Sequence, residues 1–220
     1  MNPDNPNHGY SKRIPCSKRA LDLILTVPGT ILLSPILAIV TVLVWIFNGS
    51  PVIFSQKRPG YHGRIFKVYK FRTMREAHDS LGQLLPDRQR LTRLGRVLRA
   101  TSLDELPELF NVIRGEMSLV GPRPLLVQYL ERYSPEQARR HDVLPGVTGW
   151  AQINGRNGLD WADKFNLDVW YVDHWSFALD IKILWRTIWK VIKREGISQP
   201  GQATAEEFMG NCSENDRLSD

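Results

Sequence analysis

The chain has 220 residues, 42% of them hydrophobic, enough for one domain with a real core and some appendages. Its net charge of +6 points to an anionic partner: nucleic acid, an acidic lipid surface or a phosphorylated substrate. Two cysteines near opposite ends and five scattered histidines argue against a disulfide framework and against a thiolate or histidine metal centre, and they favour a reducing compartment.

Residues 1–19 are polar and basic, with Pro3 and Pro6, and read as a mobile tail. Residues 20–47 form an apolar run interrupted by one charge, Asp22, and preceded by Lys12, Arg13, Lys18 and Arg19. It is too long for a signal-peptide core and long enough to cross a bilayer, with the N-terminus in the cytoplasm by the positive-inside rule. Pro28 and the pair Ser34-Pro35 fall inside it. A break at Pro35 leaves pieces of roughly 22 and 19 Å as helix, neither of which spans a core of about 30 Å. A helix that dips in and returns to the same face fits those lengths. A kinked spanning helix, with Ser34 bonding the carbonyl four residues back, fits the residues equally well.

Residues 52–55 and 64–72 read as two strands joined by turn residues Pro59 to Gly63, a β-hairpin. Residues 75–90 are polar and read as helix and loop. Over residues 91–100, Arg93, Arg96 and Arg99 recur every third position and share a helical face. A helix over residues 103–113 is expected next. At its start stand Asp104 and Glu105, surrounded in sequence by Arg90, Arg93, Arg96, Arg99, Arg114 and Arg123. Two carboxylates in a cationic field suit a divalent ion and a phosphorylated substrate. Taken alone, Ser102-x-x-Glu105 is better explained as a capping box, and the rest of the chain has to decide.

Residues 117–124 form a short apolar stretch ending in a rigid loop, where Pro122 and Pro124 restrict the backbone of Arg123 and suit it to hold a phosphate. Residues 144–158 are glycine-rich, with Gln152, Asn154, Arg156 and Asn157 interspersed, and read as a ligand-approaching loop with neither a Walker A nor a GxGxxG pattern. Over residues 180–194 the stripe Ile181, Leu184, Trp185, Ile188, Val191 and Ile192, flanked by Lys182, Arg186, Lys190, Lys193 and Arg194, describes a basic amphipathic helix. It serves equally well on a membrane surface or against a core. Trp161, Trp170, Trp175 and Trp189 suit the headgroup level. After Gln199 the chain turns polar and is expected to fray.

Taken in order, these pieces resemble the bacterial sugar transferase family, the monotopic phosphoglycosyl transferases. The resemblance rests on the basic N-terminus, the apolar helix with Ser34-Pro35, and the motifs FKVYKFRTM (66–74), TSLDELP (101–107), MSLVGPRP (117–124) and PGVTGWAQINGR (145–156). It covers roughly residues 15–195, without departure at the acidic pair, the Ser-Pro break or the arginine loop. It implies an α+β, mainly helical monotopic membrane protein: a tail (1–19), a re-entrant helix broken at Ser34-Pro35 (20–47), a cytoplasmic catalytic domain (48–198) and a flexible C-terminal tail (199–220). The implied reaction transfers a sugar 1-phosphate from a UDP-sugar to undecaprenyl phosphate on the cytoplasmic face of the bacterial inner membrane. It requires Mg2+, releases UMP and initiates glycoconjugate or exopolysaccharide assembly.

Carried over, Asp104 is the nucleophile, and Glu105 binds metal or orients Asp104. Arg123 grips phosphate, while Lys70, Arg72, Arg99, Gln152, Asn154 and Arg156 are substrate-binding candidates. The expected partners are the UDP-sugar, undecaprenyl phosphate and inner-membrane lipids, with no nucleic acid; a homodimer is left open. Residues 193–198 and 203–210 are similar to members that use UDP-di-N-acetylbacillosamine or another UDP-N-acetyl sugar. The competing readings are a non-enzymatic membrane-anchored basic module that binds acidic lipid or nucleic acid, and a catalytically dead subunit of a glycan-assembly complex. The first leaves the acidic pair unexplained; the intact pair speaks against the second.

Overall fold

The computed structural model describes residues 15–155, 159–193 and 207–210. Its first element, α1 (Cys16–Asn48), runs without interruption through Pro28 and Pro35, so the helical assignment does not end at Ser34-Pro35. Pro35 has no N–H for the carbonyl of Ile31; the Ser34 hydroxyl donates to that carbonyl instead, at 2.7 Å. Ser34 thus serves the carbonyl three residues back rather than four, and it is the one that the proline orphans.

The most apolar 18-residue window of α1 has a mean hydropathy of 2.5. Along its middle Val27, Ile31, Leu32, Ile36 and Ile39 are exposed. Among the described residues, its buried positions lie toward its two ends. Lys18, Asp22 and Thr26 are buried at one end, and Val40, Val44 and Asn48 at the other. These positions recur at helical spacing on one face.

The hairpin forms as expected, with a longer first strand and a slightly shorter second one. β1 (Ile53–Pro59) pairs antiparallel with β2 (Ile65–Phe71), from Ile53 opposite Phe71 to Pro59 opposite Ile65. Residues 75–90 contribute a single helical turn, α2 (Asp87–Arg90), and one isolated bridge, His78 to Leu84, and are closed off by a second between Met74 and Leu91. α3 (Arg93–Ala100) is capped by Thr92, whose hydroxyl accepts the Gly95 N–H at 2.9 Å. Gly95 lies so close to β2's continuation that a Cβ there would sit 2.0 Å from the Thr73 carbonyl oxygen. This contact brings Leu98 of α3 into one cluster with Val40 and Val44 of α1 and Phe71 of β2.

The helix expected over residues 103–113 divides in two. Leu103–Glu105 form a 3₁₀ turn, and α4 (Glu108–Arg114) follows. Pro107 cannot donate to Leu103, so the i→i−4 pattern fails there, and Leu106 N–H takes the Leu103 carbonyl instead, at 3.3 Å. The capping box is absent as well. Ser102 sits in the left-handed region (φ 56°) and its side chain caps nothing. The acidic pair is therefore not explained as helix capping.

β3 (Ser118–Val120) pairs in parallel with β4 (Gly146–Thr148), flanking α5 (Pro135–Ala138). The glycine-rich stretch is more ordered than a loop, since β4 and α6 (Trp150–Asn154) lie within it. α7 (Trp161–His174) and α8 (Phe177–Lys193) complete the fold. Val120, Ile153, Tyr171, Leu179 and Ile183 form one core cluster across β3, α6, α7 and α8.

α8 carries two apolar faces. Leu179 and Ile183 are buried, whereas Ile181, Trp185, Ile188 and Trp189 are exposed. Trp161 and Trp175 are half-buried and pack inward. Trp161 packs on Tyr129, Phe165 and Phe208, and Trp175 packs on the core and donates to Asp180 at 3.0 Å. Nor does the tail wholly fray, because residues 207–210 dock on the body through a buried Phe208.

Candidate active site

Glu105 is the hub of the site. One of its carboxylate oxygens accepts from Lys70 Nζ at 2.7 Å and from an Arg123 Nη; the second Arg123 Nη lies 3.4 Å from the other oxygen. Lys70 comes from β2 and also pairs with Glu108 Oε1 at 3.1 Å. Asp104 is 8% exposed, and its carboxylate accepts no hydrogen bond among the described residues. The 3₁₀ turn thus holds two adjacent acids in different states: Glu105 clamped by two cations, Asp104 buried and unengaged.

Their electrostatics diverge accordingly. Burial raises the pKa of Asp104, the Glu105 charge raises it further, and Lys70, Arg99 and Arg123 pull it back only in part. Burial works on Glu105 in the same direction, but Arg123 and Lys70 override it and hold that carboxyl well below its usual range. Glu108 is pushed up to about 7, by burial first and then by the neighbouring Glu105 charge. The Arg123 guanidinium is held more firmly protonated by Glu105.

Arg123 is fixed from behind. The buried Arg140 donates through Nη2 to the Arg123 carbonyl at 2.8 Å, and through Nε and Nη2 to Asp168 at 3.1 and 2.7 Å. Pro122 and Pro124 restrict the backbone on either side, and the adjoining Gly121 leaves no room for a side chain. A Cβ there would lie 2.2 Å from the Leu144 carbonyl oxygen.

The other sequence candidates separate. Arg99 faces the site; its Nε donates to Thr73 Oγ1 at 3.1 Å, and its charge acts on Asp104. Gln152 borders a cleft beside Glu105 that is also lined by Ser102, Thr148, Thr187 and Lys190. Arg72 is not brought to the acidic pair. Its guanidinium donates to the Asn48 and Ser50 carbonyls at the C-terminal end of α1, where a cation is favoured. Asn154 turns back onto its own helix and donates to the Trp150 carbonyl at 2.9 Å. Arg156 lies outside the described residues. Glu108, Thr148, Thr187 and Lys190 were missed; only Glu108 had a signal, a third carboxylate one turn beyond Glu105.

No group of three or more His, Cys, Asp or Glu side chains converges to form a metal cage among the described residues. An Mg2+ ion bound beside substrate phosphates needs only one or two carboxylates. Asp104 fits that role because, among the described residues, its lone pairs are unengaged. Glu105 could join it only through its second oxygen, by giving up the 3.4 Å contact with Arg123.

Residues 13–194 match the family model for bacterial sugar transferase. The chain is 61% identical over 163 residues to the uncharacterized sugar transferase EpsL of Bacillus subtilis (strain 168), covering 74% of this chain and 81% of that protein. It is 43% identical over 199 residues to the undecaprenyl-phosphate glucose phosphotransferase of Komagataeibacter xylinus, covering 83% of this chain and 36% of the relative. It is 41% identical over 197 residues to the UDP-glucose:undecaprenyl-phosphate glucose-1-phosphate transferase of Escherichia coli (strain K12), covering 85% and 42%. The matched region is thus about two fifths or less of these two longer relatives.

Proposed function

Because this chain belongs to the bacterial sugar transferase family, we propose that it is a membrane-bound phosphoglycosyl transferase. It moves a sugar 1-phosphate from a UDP-sugar to undecaprenyl phosphate, with release of UMP, as the first membrane step of exopolysaccharide or glycoconjugate assembly. The observation that carries this reading is the unequal pair: an ionised Glu105 held by Lys70 and Arg123, beside a buried Asp104 whose carboxylate accepts no hydrogen bond among the described residues and is made more basic by its surroundings. The names of the K. xylinus and E. coli relatives support the lipid acceptor.

In the reaction, a carboxylate oxygen of Asp104 attacks the phosphorus that bears the sugar. The bond from that phosphorus to the UMP oxygen breaks, and UMP leaves with the electron pair. An oxygen of the lipid phosphate then attacks the same phosphorus and displaces the Asp104 carboxylate. Two displacements replace one between mutually repelling anions. Arg123 and Lys70 neutralise charge at the transferring phosphoryl group, and Glu105 keeps both cations in place before substrate arrives. Bound Mg2+ would be held by Asp104 and Glu105 and would supply further charge neutralisation there. The sugar we assign is a UDP-N-acetyl sugar such as UDP-di-N-acetylbacillosamine, on the similarity of the C-terminal residues.

The anchor reading is a re-entrant α1 that leaves both ends in the cytoplasm. Arg19 near its start donates to the Val112 and Ile113 carbonyls, and Asn48 at its end donates to the Arg72 carbonyl. α4 carries the first two acceptors and Arg72 directly follows β2; α4 and β2 are joined through Asn111, which bonds the Lys67 and Tyr69 backbone. A straight helix would separate Arg19 from Asn48 by about 44 Å, whereas α4 and β2 extend only roughly 10 and 23 Å. A return to the same face suits this docking.

The test is UMP release from a panel of UDP-sugars with undecaprenyl phosphate and Mg2+, with ping-pong kinetics expected. Near-normal turnover by Asp104→Asn would refute the covalent route. A C-terminal reporter that proved periplasmic would refute the topology.

A further inference from the structure

We propose that Phe208, on the docked C-terminal segment, is a positioning residue for Arg123. Phe208 is 3% exposed, and its ring closes an aromatic cluster. Ring centroids lie 4.9 Å from Phe165, 5.6 Å from Tyr129, 5.6 Å from Trp161 and 6.1 Å from Tyr133. Polar contacts seat the segment. Phe208 N–H donates to the Tyr129 hydroxyl at 3.1 Å, Arg132 donates to Glu207 at 2.9 Å, and Arg132 also reaches the Phe208 carbonyl. Residues 207–210 are therefore held by chain lying 75 to 79 positions earlier.

Two rings of that cluster form the floor beneath Arg140. Its guanidinium carbon lies 5.7 Å from the Tyr133 centroid and 5.6 Å from the Phe165 centroid, and Nη1 donates to the Tyr133 hydroxyl at 3.2 Å. Arg140 in turn holds the Arg123 carbonyl, and Arg123 grips Glu105. The cluster also takes in Leu125 and Leu126, the residues that follow the Arg123 loop. A continuous run of contacts thus joins the tail's ring to the site. Removing the ring leaves a void beside Tyr133 and Phe165, which closes only by their shifting. Such a shift moves Arg140, and the loop with it. Small misplacements of a phosphate-gripping group are costly in rate.

The kinetic consequence rests on the proposed reaction; the structural one does not. The experiment compares full-length protein with Phe208→Ala and Phe208→Leu. UMP release should fall about tenfold in the alanine variant and largely recover in the leucine variant, which refills the void. Hydrogen–deuterium exchange over residues 119–126 should rise in Phe208→Ala while that over α3 stays at the parent level. In an Arg123→Ala background, adding Phe208→Ala should cost little more, since there is no guanidinium left to place. Unchanged exchange over residues 119–126, or a rate loss that merely tracks the folded fraction, would overturn the inference. If the parent releases no UMP from any UDP-sugar, the reaction is wrong, and exchange alone decides the role of Phe208.

Discussion

Two charged clusters in this protein are built from similar parts and do opposite things. Asp180 accepts from Lys18 Nζ at 2.7 Å, from the Tyr171 hydroxyl at 2.7 Å and from Trp175 Nε1 at 3.0 Å. It is 1% exposed, and its oxygens are committed to donors from α1, from α7 and from the residue that follows α7. Asp104 is nearly as buried, yet among the described residues its carboxylate is committed to none. A saturated buried carboxylate fastens elements together, whereas one that accepts from no side chain keeps its lone pairs open to a ligand.

The comparison breaks most decisively at Asp104. Asp104→Asn should reduce UMP release at least about a thousandfold, while the thermal midpoint stays equal or rises, because a desolvated charge has been removed. A variant that instead unfolded would place Asp104 with Asp180. The converse substitution, Lys18→Ala, should destabilise by roughly 3 kcal/mol by stripping a buried charge of its partner, as read by denaturant titration in detergent. Activity per folded molecule should hardly change. Arg123→Lys tests a group between these extremes. The two-nitrogen grip on Glu105 is lost while the charge is kept, so kcat/KM should fall roughly ten- to a hundredfold, with little change in thermal midpoint.

The smallest effect expected is a pH dependence. Glu108 holds its proton more tightly folded, near pH 7, than unfolded, near 4.5. Its contribution to stability is complete below 4.5 and is lost as pH rises through about 7. The lowered Glu105 works the other way: its contribution is present above 4.5 and is lost as pH falls below that value. Glu108→Gln should therefore flatten the decline in thermal midpoint between pH 5 and pH 8 by a few degrees, seen in parallel melts.

Much of this was legible in the chain because local rules governed it. The hairpin followed from alternation and turn residues, and α3 from the spacing of its arginines. The helix over residues 103–113 was misread because helix propensity hid the consequence of Pro107, and because Ser102-x-x-Glu105 satisfies a capping pattern that a left-handed Ser102 prevents. Arg72 looked like a ligand for phosphate, but its partners are carbonyls at the end of α1, a tertiary contact invisible in local sequence. Trp161 and Trp175 carry the same chemistry as interfacial tryptophans, and only packing shows that they face inward. The docking of Phe208 was unreadable for the same reason, since its cluster is assembled from residues as distant as Tyr129.

The double attachment of α1 has a mechanical consequence. A rod pinned at one end can pivot and slide; a rod pinned at both ends can do neither without breaking a contact. Arg19 fastens one end to α4, while Asn48, Arg72 and Arg75 lock the other to the strand that carries Lys70. The distance between the exposed apolar stretch of α1 and the Asp104 carboxylate is therefore a property of the fold and not of the surrounding lipid. In a bilayer, α1 would act as a depth gauge, setting the level at which the Asp104 carboxylate sits relative to the headgroups.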